Sequence, residues 1–153
     1  MPEINPRWLE MVRAGVNTCP YFSLQSMELV DLGPGTSHLE IGVEQKHLQP
    51  FGLVHGGVLA SLVDAAAFWA VYSLLEDGLG MTTVEIKLNY LAPVSRGRLV
   101  GRGKSIKLGR TLGLGEARVE DEQGRLLAHG TSTLMILPEL KLAGQEQMPP
   151  KFL

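Results

Sequence analysis

The sequence holds a single cysteine, Cys19, among 153 residues. One thiol can neither close an internal disulfide nor build a cysteine zinc site. Strong charge of either sign is also missing: fourteen basic and sixteen acidic residues leave a net charge of −2, which argues against a general nucleic-acid binder. The start, MPEINPRWLEMVRAG, carries acids and proline where a secretory leader needs a basic and then an apolar run. The longest apolar stretch, Leu59 to Leu75, is seventeen residues and contains Asp64. It is short for a membrane span, and a carboxylate near its middle would be costly there. The expectation is a soluble cytoplasmic chain with no membrane and no nucleic-acid partner. Its 44% hydrophobic content is ordinary for globular proteins, and about two-thirds of the surface of a chain this long can be buried in one domain.

The near-neutral total hides an uneven distribution. Between Ile86 and Gly115 stand Lys87, Arg96, Arg98, Arg102, Lys104, Lys107 and Arg110 with no acid among them. The remaining seven basic and sixteen acidic residues leave −9 elsewhere. Such a segment is either a solvated sheet face or a basic rim for a phosphate-bearing ligand.

Hydrophobic periodicity orders the chain. Asn5 to Val16 reads as a short amphipathic helix, and Met27–Leu32, a Gly-Pro-Gly turn and Ser37–Glu44 read as a hairpin. A helix is expected from about Gly57 to Glu76, apolar nearly all round and therefore wrapped by other structure. Val84, Ile86, Leu88 and Tyr90 then alternate with polar residues, the signature of a strand. Three further strands follow, Arg98–Lys107, Thr111–Glu120 and Arg125–Leu137, separated by short turns. Short turns predict antiparallel neighbours. The expected fold is α+β: a curved antiparallel sheet of about six strands around one long helix. The domain proper spans 20–137, preceded by a helical segment 1–19 and followed by 138–153, a tail without periodicity that should fray.

Several familiar motifs fail. Gly103-Lys104-Ser105 ends like a phosphate-binding loop, but the first glycine of that motif would fall on Arg98, within a strand. No G-x-S-x-G elbow exists, and His38, His47, His55 and His129 lack metal spacing.

The informative stretch is HLQPFGLVHGGVLASLVD, His47 to Asp64. A glycine turn that opens directly into a helix leaves unpaired N–H groups at the positive end of the helix dipole. Gly56, lacking a Cβ, lets a carbonyl oxygen approach that end as it becomes an oxyanion. Asp64 follows two turns later on roughly the same side. A carboxylate so placed caps a neighbouring loop, or attacks or activates water against a carbonyl held by the glycine.

HGGVLASLVD, preceded by LQPFG and followed by NYLAPV and a KLGRT turn, resembles the hot-dog-fold acyl-CoA thioesterases, nearest the phenylacetate-pathway and 4-hydroxybenzoyl-CoA branch. The resemblance runs from about Pro20 to Leu137. It implies a thioester hydrolase needing no cofactor and no metal, with acyl-CoA as substrate. It also implies a homodimer or homotetramer with the site at a dimer interface. Gly56 would donate the oxyanion N–H and Asp64 would be the catalytic carboxylate, as nucleophile or general base. His55 would hold the thioester end or order the turn, and Gln49 would polarise the thioester or position water. Thr83 would stand near the attacking water, serving the neighbouring subunit's Asp64. Lys104, Lys107, Gly109, Arg110 and Thr111 would meet the phosphates of coenzyme A. This chain departs from the family in combining Gln49 with an aspartate, and in carrying Phe68 one turn beyond it. Phe51, Phe68, Trp69 and Tyr72 are either acyl-pocket lining or core.

Two other functions fit the same fold. A non-catalytic acyl-CoA binder would not need Asp64. A hydratase or dehydratase usually has a buried His–acid pair near the helix start, which the Gly56–Asp64 arrangement does not reproduce.

Overall fold

The computed structural model describes residues 2–153. Helix α1 (Pro6–Asn17) starts where the Asn5 side chain accepts the Arg7 N–H and where proline supplies a preset first turn. Its Trp8, Val12 and Val16, four apart, form the buried stripe. A six-residue helix α2 (Pro20–Gln25), not foreseen from the sequence, follows and is ended by Ser26 in the left-handed region at φ +52°. Strands β1 (Met27–Gly33) and β2 (Thr36–Gly42) form the expected hairpin. Helix α3 (Gly56–Tyr72) is buried on nearly every face. Strands β3 (Gly80–Tyr90), β4 (Arg98–Leu108), β5 (Leu112–Glu120) and β6 (Leu126–Leu137) complete the fold. All six strands lie in one antiparallel sheet that contacts α3 with every strand, the α+β architecture expected.

The strand order is β1-β2-β4-β5-β6-β3, which corrects one expectation. Strands β3 and β4, joined by only seven residues, are not neighbours; β3 pairs with β6, and β4 with β2. Seven residues can span about 23 Å, enough to cross beneath the two intervening strands. Pro93 has no N–H for a ladder, and the connection is held elsewhere: Val94 and Gly97 accept backbone hydrogen bonds from Val54 and Val43.

Close approach of helix to sheet follows from paired small residues. The inward positions of β4 and β5 facing α3 include Gly101, Gly103, Gly113 and Gly115. They receive Leu62, Ala66, Ala67 and Val71 of the helix. At Gly103 a Cβ would lie 2.0 Å from the Ala66 carbonyl oxygen, which already accepts from Ser37 Oγ at 2.6 Å.

The two sheet edges differ. At β1, the Asn17 side chain pairs with both backbone groups of Leu29 (2.7 and 3.2 Å), and Arg13 adds a bond to the same carbonyl. Helix α1 thus blunts that edge. At β3 the edge is bare, with Val84, Ile86 and Tyr90 exposed.

Residues 138–153, expected to fray, instead turn back across the end of α3. Ile4 bridges Phe152, the Asn5 N–H donates to Lys151 C=O (2.8 Å), and the Leu153 N–H donates to Glu3 C=O (3.0 Å). Lys151 is 1% exposed and drives this docking. Its Nζ donates to the carbonyls of Tyr72 (2.9 Å) and Leu75, and stands 4.4 Å from the Tyr72 ring and 5.3 Å from that of Trp8. An ammonium here satisfies carbonyls at the helix end and complements the dipole. No sequence periodicity marks such a docked strap, because one buried lysine and a few backbone hydrogen bonds hold it.

Burial pushes the Lys151 ammonium down from 10.5 to about 8, against the opposing pull of Asp77. The unfolded chain therefore binds the extra proton between about pH 8 and 10.5, and stability contributed by this site should rise with pH across that window. Tyr72, raised to about 12 by burial and by Asp77, works in the opposite sense above pH 10, where the unfolded phenol ionises first. Lys151→Met should abolish the rise between pH 8 and 10 in urea-unfolding midpoints. It should also cost about 1–3 kcal/mol by leaving the Leu75 carbonyl without a donor, the Tyr72 carbonyl keeping the Leu75 N–H.

Candidate active site

His55 is the N-cap of α3. Its Nδ1 accepts the Gly57 N–H at 2.8 Å, so its remaining proton sits on Nε2. The histidine therefore orders the turn. Its own N–H donates to the buried His47 carbonyl (2.8 Å), which anchors the helix start to the preceding loop. The Gly56 N–H finds no acceptor among the described residues and lies at the positive helix end. Tyr90, which the sequence marks only as a strand residue, packs against this glycine. Its hydroxyl donates to the Gly56 carbonyl at 2.9 Å, and a Cβ at Gly56 would meet its ring at 3.0 Å.

Gln49 shares a shallow cleft of about 340 Å³ with Gly56 and Tyr90. Its side-chain carbonyl accepts the Phe51 N–H within a tight turn closed by Gln49 N–H to Leu53 C=O (2.7 Å). That leaves the amide NH₂ as the group able to donate into the cleft.

Asp64 lies in a second cavity, of about 450 Å³, walled by Phe22, Met27, Phe68, Trp69 and Met81. Two hydroxyls, Thr83 Oγ1 at 2.8 Å and Ser132 Oγ at 3.0 Å, both donate to its Oδ1. Its Oδ2 accepts no hydrogen bond among the described residues, so the carboxylate is oriented yet keeps one unpartnered oxygen. Thr83 was expected to serve a neighbouring subunit's Asp64; it binds Asp64 of its own chain. The reason is the strand order, which brings the first residues of β3 alongside α3. Ser132, opposite Ile86 on β6 and fully buried, is the partner the sequence did not reveal. A buried hydroxyl pointing inward from a central strand was its only signal.

Of the four aromatic candidates, Phe68 and Trp69 line the Asp64 cavity, their rings edge-on at 5.3 Å. Tyr72 is buried against Trp8 and Lys151, and Phe51 is 88% exposed on its loop.

Lys104, Lys107, Gly109, Arg110 and Thr111 line neither cleft. They form the end of β4 and its turn into β5, closed by Gly109 N–H to Leu112 C=O at 2.8 Å. The Thr111 carbonyl accepts from Ile136 (2.9 Å), which pairs with Met81 of the Asp64 cavity. The turn is thus about two strand spacings, some 10 Å, from the β3 residues of that cavity. The rest of the basic segment is partly neutralised: Arg98 pairs with Glu40 at 3.1 Å, and Lys104 lies opposite Glu116.

No group of His, Cys, Asp and Glu able to hold a metal occurs among the described residues. No described helix is long and apolar enough to cross a membrane.

Comparison with known proteins gives one family. The family model described as "Thioesterase superfamily" matches residues 51–128. The proofreading thioesterase EntH of Klebsiella pneumoniae is 34% identical over 94 residues, covering 61% of this chain and 69% of that protein. Among solved structures, a thioesterase from Haemophilus influenzae superposes with a TM-score of 0.82 at 26% identity, over 92% of this chain and 98% of the other. A thioesterase family protein from Silicibacter pomeroyi gives 0.76 at 31% identity, over 84% and 96%.

Proposed function

The chain belongs to the thioesterase superfamily, with the hot-dog fold, and is a thioester hydrolase; from that premise we propose that it hydrolyses acyl-CoA thioesters in a homodimer, with Asp64 as general base and Gly56 N–H as oxyanion donor. The observation that carries the roles is the pair of hydroxyls on one oxygen of Asp64. They hold the carboxylate while leaving Oδ2 basic, and the Thr83 oxygen retains lone pairs that can accept a hydrogen bond from water. Asp64 takes the proton of that water as its oxygen bonds to the thioester carbon. The carbonyl electrons move to oxygen, which the Gly56 N–H stabilises. Collapse expels the coenzyme A thiolate, which takes the proton back from Asp64, and leaves the carboxylic acid. Gln49 NH₂ supports the thioester, and His55 fixes the turn that aims Gly56.

Within one chain, however, Gly56 and Asp64 face different clefts. A dimer resolves this. The bare β3 edge can pair antiparallel with a second copy, and pairing centred on Ile86 would set Thr83 opposite Asn89 of the partner subunit. Asp64 would then face the partner subunit's Gly56. Exposed Val84, Ile86 and Tyr90 are apolar enough to be covered in this way, whereas β1 is already blunted. Sedimentation should give a dimer or a tetramer built as a dimer of dimers. A monomeric mass with full hydrolase activity contradicts the arrangement.

Arg110 carries the coenzyme A reading, with Lys104 and Lys107 supporting it and Gly109 and Thr111 shaping the turn. An exposed guanidinium at that turn can make a bidentate phosphate contact. Arg110→Ala should raise KM for acyl-CoA with little change in kcat, since the contact lies far from the carbonyl. It should leave KM unchanged for a short thioester lacking the nucleotide. An unchanged KM for acyl-CoA rejects this carrier contact. The overall test is release of thiol across a series of acyl-CoA substrates.

A further inference from the structure

We infer that Tyr21, carried by α2 to the rim of the Asp64 cavity, limits how far an acyl chain can extend there and is a specificity-determining residue of this hydrolase. The inference rests on reading that cavity as the acyl site. Tyr21 Oη stands 2.6 Å from Ser61 Oγ, and Ser61 Oγ donates to the Gly57 carbonyl at 2.8 Å. The serine proton is thereby committed, so the tyrosine donates to the serine. Two consecutive hydrogen bonds thus tie α2 to the first turns of α3. Ser61 lies four residues after Gly57 and three before Asp64, so the tether and the carboxylate share one helix face.

The geometry of α2 makes Tyr21 a wall. Pro20 sets its first turn, Phe22 is buried in the core, and left-handed Ser26 sends the chain into β1 at buried Met27. With Phe22 and Met27 anchored, Tyr21 lies at the cavity that Asp64, Phe68 and Trp69 also line. It is 49% exposed, one side on the cavity and the other to solvent. Phe68 and Trp69 line the same cavity, so an acyl chain that enters past Asp64 and outgrows the roughly 450 Å³ there meets the Tyr21 ring. Helix α2 lies outside residues 51–128, the segment matched by the family model.

The test compares kcat/KM for straight-chain acyl-CoA substrates of increasing length in wild type, Tyr21→Ala and Asp64→Asn. Each added methylene in an apolar pocket carries a substantial discrimination. Tyr21→Ala should therefore raise the long-to-short ratio by about 10-fold or more. A Tyr21→Ala profile that falls by one common factor at all lengths, while Asp64→Asn remains inactive, overturns the role of Tyr21 alone. Normal turnover by Asp64→Asn overturns the site reading and the inference with it. If Tyr21→Ala fails to fold, Tyr21→Leu decides, since it removes the ring and keeps an apolar side chain on α2. A smaller shift in the same direction supports the inference, and an unchanged profile overturns it.

Discussion

Asp64→Asn should lower kcat for thioester hydrolysis by roughly 10²–10⁴-fold while leaving the fold and the thermal midpoint nearly unchanged. The asparagine carbonyl can still accept from Thr83 and Ser132, so the two hydroxyls keep their partner. What is lost is the free basic oxygen, replaced by an NH₂ that cannot take a proton from water. The measurement is steady-state thiol release alongside a melting curve. Near-normal turnover removes Asp64 from the chemistry, and a large stability loss with it identifies a structural carboxylate instead.

The largest effect on stability is expected at Gly103. An added methyl would sit 2.0 Å from the backbone oxygen of Ala66 and 2.4 Å from Ser37 Oγ. Neither the helix backbone nor β4 can yield without opening the helix–sheet contact, so Gly103→Ala should cost more than about 4 kcal/mol or prevent folding. Gly15→Ala is the matched control. Gly15 lies within α1, with nothing near its would-be Cβ. That substitution should stabilise by about 0.5–1 kcal/mol, because glycine costs a helix interior that much relative to alanine. Urea denaturation of the two variants checks both. A Gly103→Ala protein as stable as wild type would mean that the helix does not press on the sheet at this point.

The sequence by itself determined the elements of this protein and their type, apart from the short helix α2. Alternation in Val84–Tyr90, the all-round apolar stretch after Gly57 and the turn residues between strands are local signals, and each element formed within a few residues of its expected limits. The glycine turn running into a helix with Asp64 two turns on was equally local, since one helix fixes the separation of its own residues. Tertiary structure alone decided what those local signals leave free. Turn length did not reveal that β3 crosses to β6, because seven residues suffice either to make a hairpin or to pass beneath two strands. That crossing sets Thr83 and Ser132 on Asp64 of the same chain and leaves the β3 edge bare. The docking of residues 138–153 was also invisible, since it depends on the buried Lys151 ammonium meeting carbonyls some seventy-five residues earlier. Short-range pattern encodes local geometry. Strand order, hydroxyls converging on a carboxylate and one lysine capping a distant helix end are relations between residues far apart in the chain, which only packing brings together.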